Sequence, residues 1–233
     1  MDSLSTGPLA QLLDRLHAEA EETDRSHVEE IMAEVARVEA AGGSIADLAA
    51  GMIAEERADY RKTYQGRAAN FLAISRDYGR FLYAIARARG ATRIVEFGTS
   101  MGISTIYLAA ALRDNGGGQL IGSELEPGKV ARARANLEAA GLADLVDIRE
   151  GDALETLADP GGPVDLLLVD GAFALYLPVL KLIEPHLRPG AVVLGENAFE
   201  PEYQAYVRNP ANGFVSLPLP EADRGNEFSV RTL

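Results

Sequence analysis

Apolar residues along this chain change their period twice. Over residues 8–62 they recur at helical spacing in three groups: Leu9, Leu12, Leu13, Leu16; Val28, Ile31, Met32, Val35, Val38; and Ile45, Leu48, Ala49, Met52, Ile53. Positions i, i+3, i+4 and i+7 share one helical face, so each group predicts an amphipathic helix. Breaks are expected at Thr23–Ser26 and at Gly42–Ser44, the second with Ser44 as N-cap of the next helix. A fourth helical pattern spans Gly66–Gly90, with Phe71, Leu72, Phe81, Leu82 and Ile85 on its apolar side. Beyond it the pattern shortens into apolar runs separated by helical stretches. Strands are expected around Ile94–Phe97 and at Gln119–Ser123, Val146–Arg149, Val164–Val169 and Ala191–Leu194. Helices are expected after Gly102, at Pro127–Ala140 and at Tyr176–Leu187. This alternation predicts βαβ units and a doubly wound, mostly parallel α/β sheet. Two further runs, Gly213–Leu217 and Phe228–Arg231, flank a polar loop and predict an antiparallel hairpin, making seven strands.

Length and charge narrow this picture. The 233 residues fit one α/β domain with an extra segment. Three short helices bury too little to stand alone, so residues 1–65 are expected to form a dependent arm or lid on a domain spanning 66–233. A homodimer joined through these helices is one expectation. Net charge is −13, and the basic residues are scattered among acids, which argues against a nucleic-acid groove and for a small-molecule partner. With no cysteine, disulfides, thiolate metal sites and cysteine nucleophiles are excluded. The first residues show neither a basic start nor an apolar signal core, and no run approaches the roughly 20 apolar residues of a membrane span. A cytoplasmic protein without membrane contact is expected.

Candidate chemistry gathers at the strand ends. The segment RIVEFGTSMGISTIYLAAA, residues 93–111, reads as strand, glycine turn and helix. Such a turn offers unpaired helix N–H groups, and Gly98 and Gly102 permit close approach to the backbone; packing alone would also account for two glycines. The GxGxxG dinucleotide fingerprint is absent. Each parallel strand carries or precedes an acid: Glu96, Glu124, Asp152, Asp170 and Glu196. A row of carboxylates on one edge repels itself unless a cation, a hydroxylated ligand or a metal answers it. Glu124, after the second strand, is placed to accept ribose hydroxyls. Tyr60, Tyr64, Tyr78 and Tyr83 are candidates for an aromatic pocket or for packing, and His17 and His27 read as solvated surface histidines.

In order and spacing, IVEFGTSMGIST, GSELEPGKVARARANLEAAGL, IREGDALETL, LLLVDGAFALY and LRPGAVVLGENA resemble the class I S-adenosylmethionine-dependent O-methyltransferases of the catechol and caffeoyl-coenzyme A type. The resemblance covers about residues 75–231 and implies a Rossmann-like methyltransferase fold for 66–233. It implies that Glu96 meets the methionine ammonium, that Gly98 and Gly102 admit the cofactor, and that Ser104 bonds its carboxylate. Glu124 would hold the ribose, and Asp152 with Ala153 would frame the adenine. Asp170, the expected catalytic acid and a cofactor neighbour, would join Glu196 and Asn197 in binding Mg²⁺ or another divalent cation. Two departures stand out. Phe173 occupies the place of the family's basic lysine, and Glu196 replaces an aspartate. The acceptor implied is a hydroxyl of a small aromatic or polyketide-like molecule. The departures leave open metal-free O- or N-methylation, or a cofactor-binding protein without catalysis.

Overall fold

Among the residues described by this computed structural model, Leu4, 7–219 and 225–233, seven strands form one sheet in the order β3-β2-β1-β4-β5-β7-β6. The strands are β1 (Arg93–Phe97), β2 (Gln119–Glu124), β3 (Val146–Glu150), β4 (Val164–Val169), β5 (Leu187–Gly195), β6 (Phe214–Pro218) and β7 (Glu227–Arg231). The first five are parallel, and β7 runs antiparallel between β5 and β6. The doubly wound sheet with a terminal hairpin is thus as its periodicity anticipated. Part of the polar loop expected before β7, residues 220–224, lies outside the described residues.

Central strands are apolar on both faces because both faces are covered. Along β4, Leu166 and Leu168 pack with α4 (Arg76–Arg89), α5 (Ile103–Asp114) and α6 (Pro127–Ala140), whereas Val164, Leu167 and Val169 face the opposite core. That second core is built with α7 (Ala153–Thr156), α8 (Tyr176–Ile183) and α9 (Pro201–Val207). The short α7 and α9 had no counterpart in the sequence pattern.

The N-terminal helices behave differently from one another. In α1 (Pro8–Thr23) the leucine stripe, Leu9, Leu12, Leu13 and Leu16, is buried in the same core as α4 and α5. His17 goes in with it. Only 3 % exposed, its Nε2 lies 3.1 Å from the Tyr107 hydroxyl on α5, which corrects the expectation of a solvated histidine. Helix α2 (Arg25–Ala40) buries no residue at all. Helix α3 (Ile45–Gln65) starts on a reciprocal Ser44–Asp47 capping box, with the Ser44 N–H donating to Asp47 Oδ2 at 2.8 Å. It kinks at Asp59, whose side chain accepts from the Lys62 N–H at 3.0 Å and so caps the final stretch afresh.

The helical pattern read over Gly66–Gly90 is helix only from Arg76. Asp24, in the break between α1 and α2, captures the segment before it: its carboxylate accepts from Phe71 N–H at 2.9 Å, Leu72 N–H at 2.7 Å and the Asn70 side chain at 3.1 Å. Those donors are lost to a helix, and Ser75 then caps α4 through the Tyr78 N–H at 3.1 Å.

Candidate active site

The strand order reverses direction between β1 and β4, the point at which parallel α/β sheets open a crevice at their carboxyl edge. Gly98 and Asp170 meet there. With φ at +94°, Gly98 lies so close to β4 that a Cβ would stand 1.9 Å from the Asp170 carbonyl oxygen, so no other residue fits. Gly102, φ +88°, is pressed against Ala133 of α6, where a Cβ would come within 3.2 Å of the alanine methyl. Both glycines therefore have packing reasons of their own, and Gly98 in addition lines the crevice.

Glu96 sits beneath this turn, fully buried. Its carboxylate accepts three hydroxyls: Ser104 at 2.7 Å, Thr105 at 2.6 Å and Thr99 at 3.1 Å. Burial raises its pKa and the hydroxyls oppose that rise. Ser104 thus points back at Glu96, while the same residue lines a narrow cleft formed by Phe71–Ile74, Gly98–Met101 and Asp170. Glu124, at the end of β2, accepts the Ser100 N–H at 2.7 Å and the Glu126 N–H at 2.9 Å, one on each oxygen. Two fixed donors orient the carboxylate and leave each oxygen a further lone pair.

Asp152 caps α7 through the Leu154 N–H at 3.0 Å. It also accepts Arg61 at 2.6 Å and the Tyr60 hydroxyl, both from the re-capped end of α3. Burial works against its ionisation, but Arg61 and Tyr60 outweigh it and hold the carboxyl below the usual range. The neighbouring Ala153 lines the same cavity. The sequence marks Tyr60 only as an aromatic and carries no signal for Arg61.

The carboxyl groups of Asp170 and Glu196 hydrogen-bond each other at the ends of β4 and β5. Backbone bonds pin both: Asp170 N–H to Phe97 O at 2.9 Å and Glu196 N–H to Val169 O at 3.0 Å. Burial, then Glu196, then Glu96 push the Asp170 pKa well up. Asn197, in the left-handed region at φ +48°, donates its side-chain amide to Glu196. Two enclosed carboxylates hold one proton or one cation between them. Among the described residues no three His, Asp or Glu side chains cluster to hold a metal, and the oxygen-bearing side chain beside this pair is the Asn197 amide.

A further buried carboxylate has no signal in the sequence pattern. Glu56 of α3, 1 % exposed, accepts the Ala174 N–H at 3.1 Å and the Tyr64 hydroxyl at 3.2 Å, and burial raises its pKa. Tyr64 lies 3.2 Å from the Gly171 carbonyl, beside Asp170. Phe173 packs edge-on to Tyr176 at a 5.6 Å ring separation, an apolar group where a basic one was looked for.

A single cavity of about 600 Å³ joins these parts. Glu124, Asp152, Asp170, Glu196 and Asn197 line it; Glu96 and Gly102 do not. The acids expected in a row at the sheet edge are therefore brought together, except that Glu96 stays beneath the floor.

Residues 95–198 match the family described as a methyltransferase domain. The match takes in 104 of the chain's 233 residues. Two catechol O-methyltransferases are similar to it: that of Niastella koreensis is 34% identical over 130 residues, covering 54% of this chain and 58% of that one. That of Mycobacterium tuberculosis is 36% identical over 127 residues, covering 54% and 57%. The chain thus matches somewhat more than half the length of these relatives. Among solved structures, the O-methyltransferase TomG of Streptomyces achromogenes, in complex with SAM, superposes with a TM-score of 0.62 at 28% identity, covering 70% of this chain and 82% of that one. The matched residues take in β1 from Val95 through β5 and the acids of the crevice, and end just past Asn197. Among the described residues, no helix is long and apolar enough to cross a membrane.

Proposed function

We propose that this protein transfers a methyl group from S-adenosylmethionine to a hydroxyl of a small aromatic or polyketide-like acceptor. The observation that carries the reading is the one cavity of about 600 Å³ that contains both the Gly98–Ser100 turn with Glu124 and Asp152 and the Asp170–Glu196–Asn197 group. Volumes of this order are those of small-molecule sites.

When bound, the cofactor supplies a methyl already activated by its sulfonium. The chain does the rest. Glu124, aimed by two backbone N–H groups, accepts the ribose hydroxyls. Asp152 and Ala153 frame the adenine, with Tyr60 and Arg61 holding Asp152 in place. Gly98 lets the cofactor lie on the backbone, while Gly102 shapes the turn from behind. Glu96 provides negative charge under the ammonium, and Ser104 reaches the carboxylate by rotating away from Glu96.

Phe173 leaves its wall without a basic side chain. The acceptor's proton therefore falls to the Asp170–Glu196 carboxyl pair, unless a cation occupies that pair. Two carboxylates and an amide that can turn its oxygen inward are the hard oxygen donors that a divalent ion such as Mg²⁺ takes. There the ion would lower the pKa of the acceptor hydroxyl.

Titration with S-adenosylhomocysteine is expected to show one site per chain. Glu124→Ala is expected to weaken it by about tenfold or more, since hydrogen bonds to a charged group are worth ~1.5–3 kcal/mol. No binding to the unaltered protein would overturn the reading. Labelled S-adenosylmethionine with a panel of phenols, with and without chelator, then separates the two uses of the carboxyl pair. Turnover that survives chelator assigns the pair to the proton, and turnover that is lost assigns it to a cation.

A further inference from the structure

Helix α2 carries an apolar stripe, Val28, Ile31, Met32 and Val35, yet no residue of the helix is buried. Val28 is 54 % exposed and Met32 60 %. Ordinarily such a stripe is the face on which a helix packs. Here it looks into the cavity of the candidate active site, opposite Ile45, Leu48 and Met52 of α3. Those three recur at i, i+3 and i+7 and share a face of α3, while Ile53 on another face is buried.

The two helices therefore make an apolar trough, and its inner end opens on Asp170, Glu196 and Phe173. Charge is distributed unevenly along it. The acids, with Lys129 and Arg67, line the sheet end. Lys129 is only 3 % exposed and bonds Ser100 Oγ at 3.3 Å, and Arg67 lies over the Tyr64 ring at 5.5 Å. Asp24, satisfied by the Phe71, Leu72 and Asn70 donors, lies near Lys129 at that same end, with His27 following it on α2. From Val28 to Val35 and from Ile45 to Met52 every lining residue is apolar, so that stretch offers no group to a phosphate or a carboxylate.

We infer that the methyl acceptor carries an extended, uncharged hydrocarbon portion, which lies in the α2–α3 trough while its hydroxylated ring reaches the Asp170–Glu196 end. This deepens the methyl-transfer reading above and rests on it. The argument for this occupant is continuity: trough and transfer site are one cavity, so whatever fills the site extends along the stripe. The trough selects by length and apolarity, and the acid end selects for a hydroxyl.

The test is a chain-length series of catechol, 4-methylcatechol, 4-butylcatechol and 4-octylcatechol, titrated calorimetrically into the full chain saturated with S-adenosylhomocysteine. Burying each methylene is expected to tighten binding by roughly threefold to fourfold. The same series is run on Val28→Asp/Met32→Asp, two exposed helical positions where substitution costs little stability. The gain per methylene is expected to collapse in that variant. Flat affinities in the unaltered protein, or no binding of any member, overturn the inference. So does a slope that persists in the variant, because the tail would then lie elsewhere. Sedimentation of both proteins covers the remaining occupant. A dimer that dissociates in the variant, with no chain-length dependence in the original, assigns the stripe to a second copy and overturns the inference. Failure of S-adenosylhomocysteine to bind is a separate result. It removes the methyl-transfer reading, while the chain-length slope, measured without it, still reports on the trough.

Discussion

Burial of a single titratable side chain is enough to give this protein an acid-sensitive joint. His17 is enclosed between α1 and α5, and burial lowers its pKa from 6.5 to about 4 despite Glu21 and Asp14 nearby; Arg76 adds to the lowering. In the unfolded chain the imidazole protonates near its ordinary value, so the unfolded state binds the proton first. The stabilising effect of keeping His17 neutral is therefore complete above about pH 6.5 and is lost progressively as pH falls towards 4. His17→Gln keeps an acceptor for the Tyr107 hydroxyl but cannot titrate. Urea denaturation at a series of pH values is expected to show the original protein losing more stability than the variant between pH 6.5 and 4. Parallel losses would remove His17 from the account. The histidine was misread in the sequence because helical spacing places position 17 beside the leucine stripe. Periodicity gives direction on a helix, but the width of the contact depends on the partner surface, here Tyr107, 90 residues away.

At the level of elements, the segment between α3 and α4 is held by one side chain. Asp24 gathers two backbone N–H groups and the Asn70 amide, and Ser100 Oγ donates to Phe71 O at 2.5 Å, so residues 70–72 are tied to both the α1–α2 break and the glycine turn. Asp24→Ala leaves those donors without their acceptor in a buried place. A loss of about 2 kcal/mol or more in chemical denaturation is expected, with a smaller loss for Asp24→Asn. A change below ~0.5 kcal/mol would mean that water replaces the carboxylate. The same contact explains what the sequence could not convey. Residues 66–75 have helical composition, and only a carboxylate some 46 residues earlier turns them from helix. By contrast, α6 was legible to the residue, because Pro127 and Gly141 punctuate it locally. The acids at the strand ends were legible for a similar reason, since parallel strands deliver their last residues to one edge whatever the loops do. Glu56, Tyr60 and Arg61 were not, because their partners lie on distant segments: the Ala174 N–H for Glu56 and the Asp152 carboxylate for Tyr60 and Arg61.

For the whole molecule, charge is the property that joins fold to proposed function. The chain carries −13, and five acids, Asp24, Glu124, Asp152, Asp170 and Glu196, line the cavity against Arg67 and Lys129. Arg61 offsets Asp152 locally, but the remaining field is negative, and a cavity walled by apolar helices concentrates it. S-adenosylmethionine bears one positive charge more than S-adenosylhomocysteine, and the two are otherwise nearly the same shape. The protein is therefore expected to prefer the methyl donor to the demethylated product, which aids product release, and this preference has an electrostatic origin. Raising ionic strength from about 10 mM to about 1 M shortens the screening length from roughly 30 Å to roughly 3 Å, which suppresses the contribution of distant carboxylates while leaving hydrogen bonds in contact intact. The ratio of the two affinities, measured by calorimetry across that range, is expected to fall by about threefold or more, mostly through weaker binding of the cationic ligand. A ratio that holds constant would place the discrimination in direct contacts alone, and a ratio that rises would mean that the acids of the crevice are neutralised before the ligand arrives.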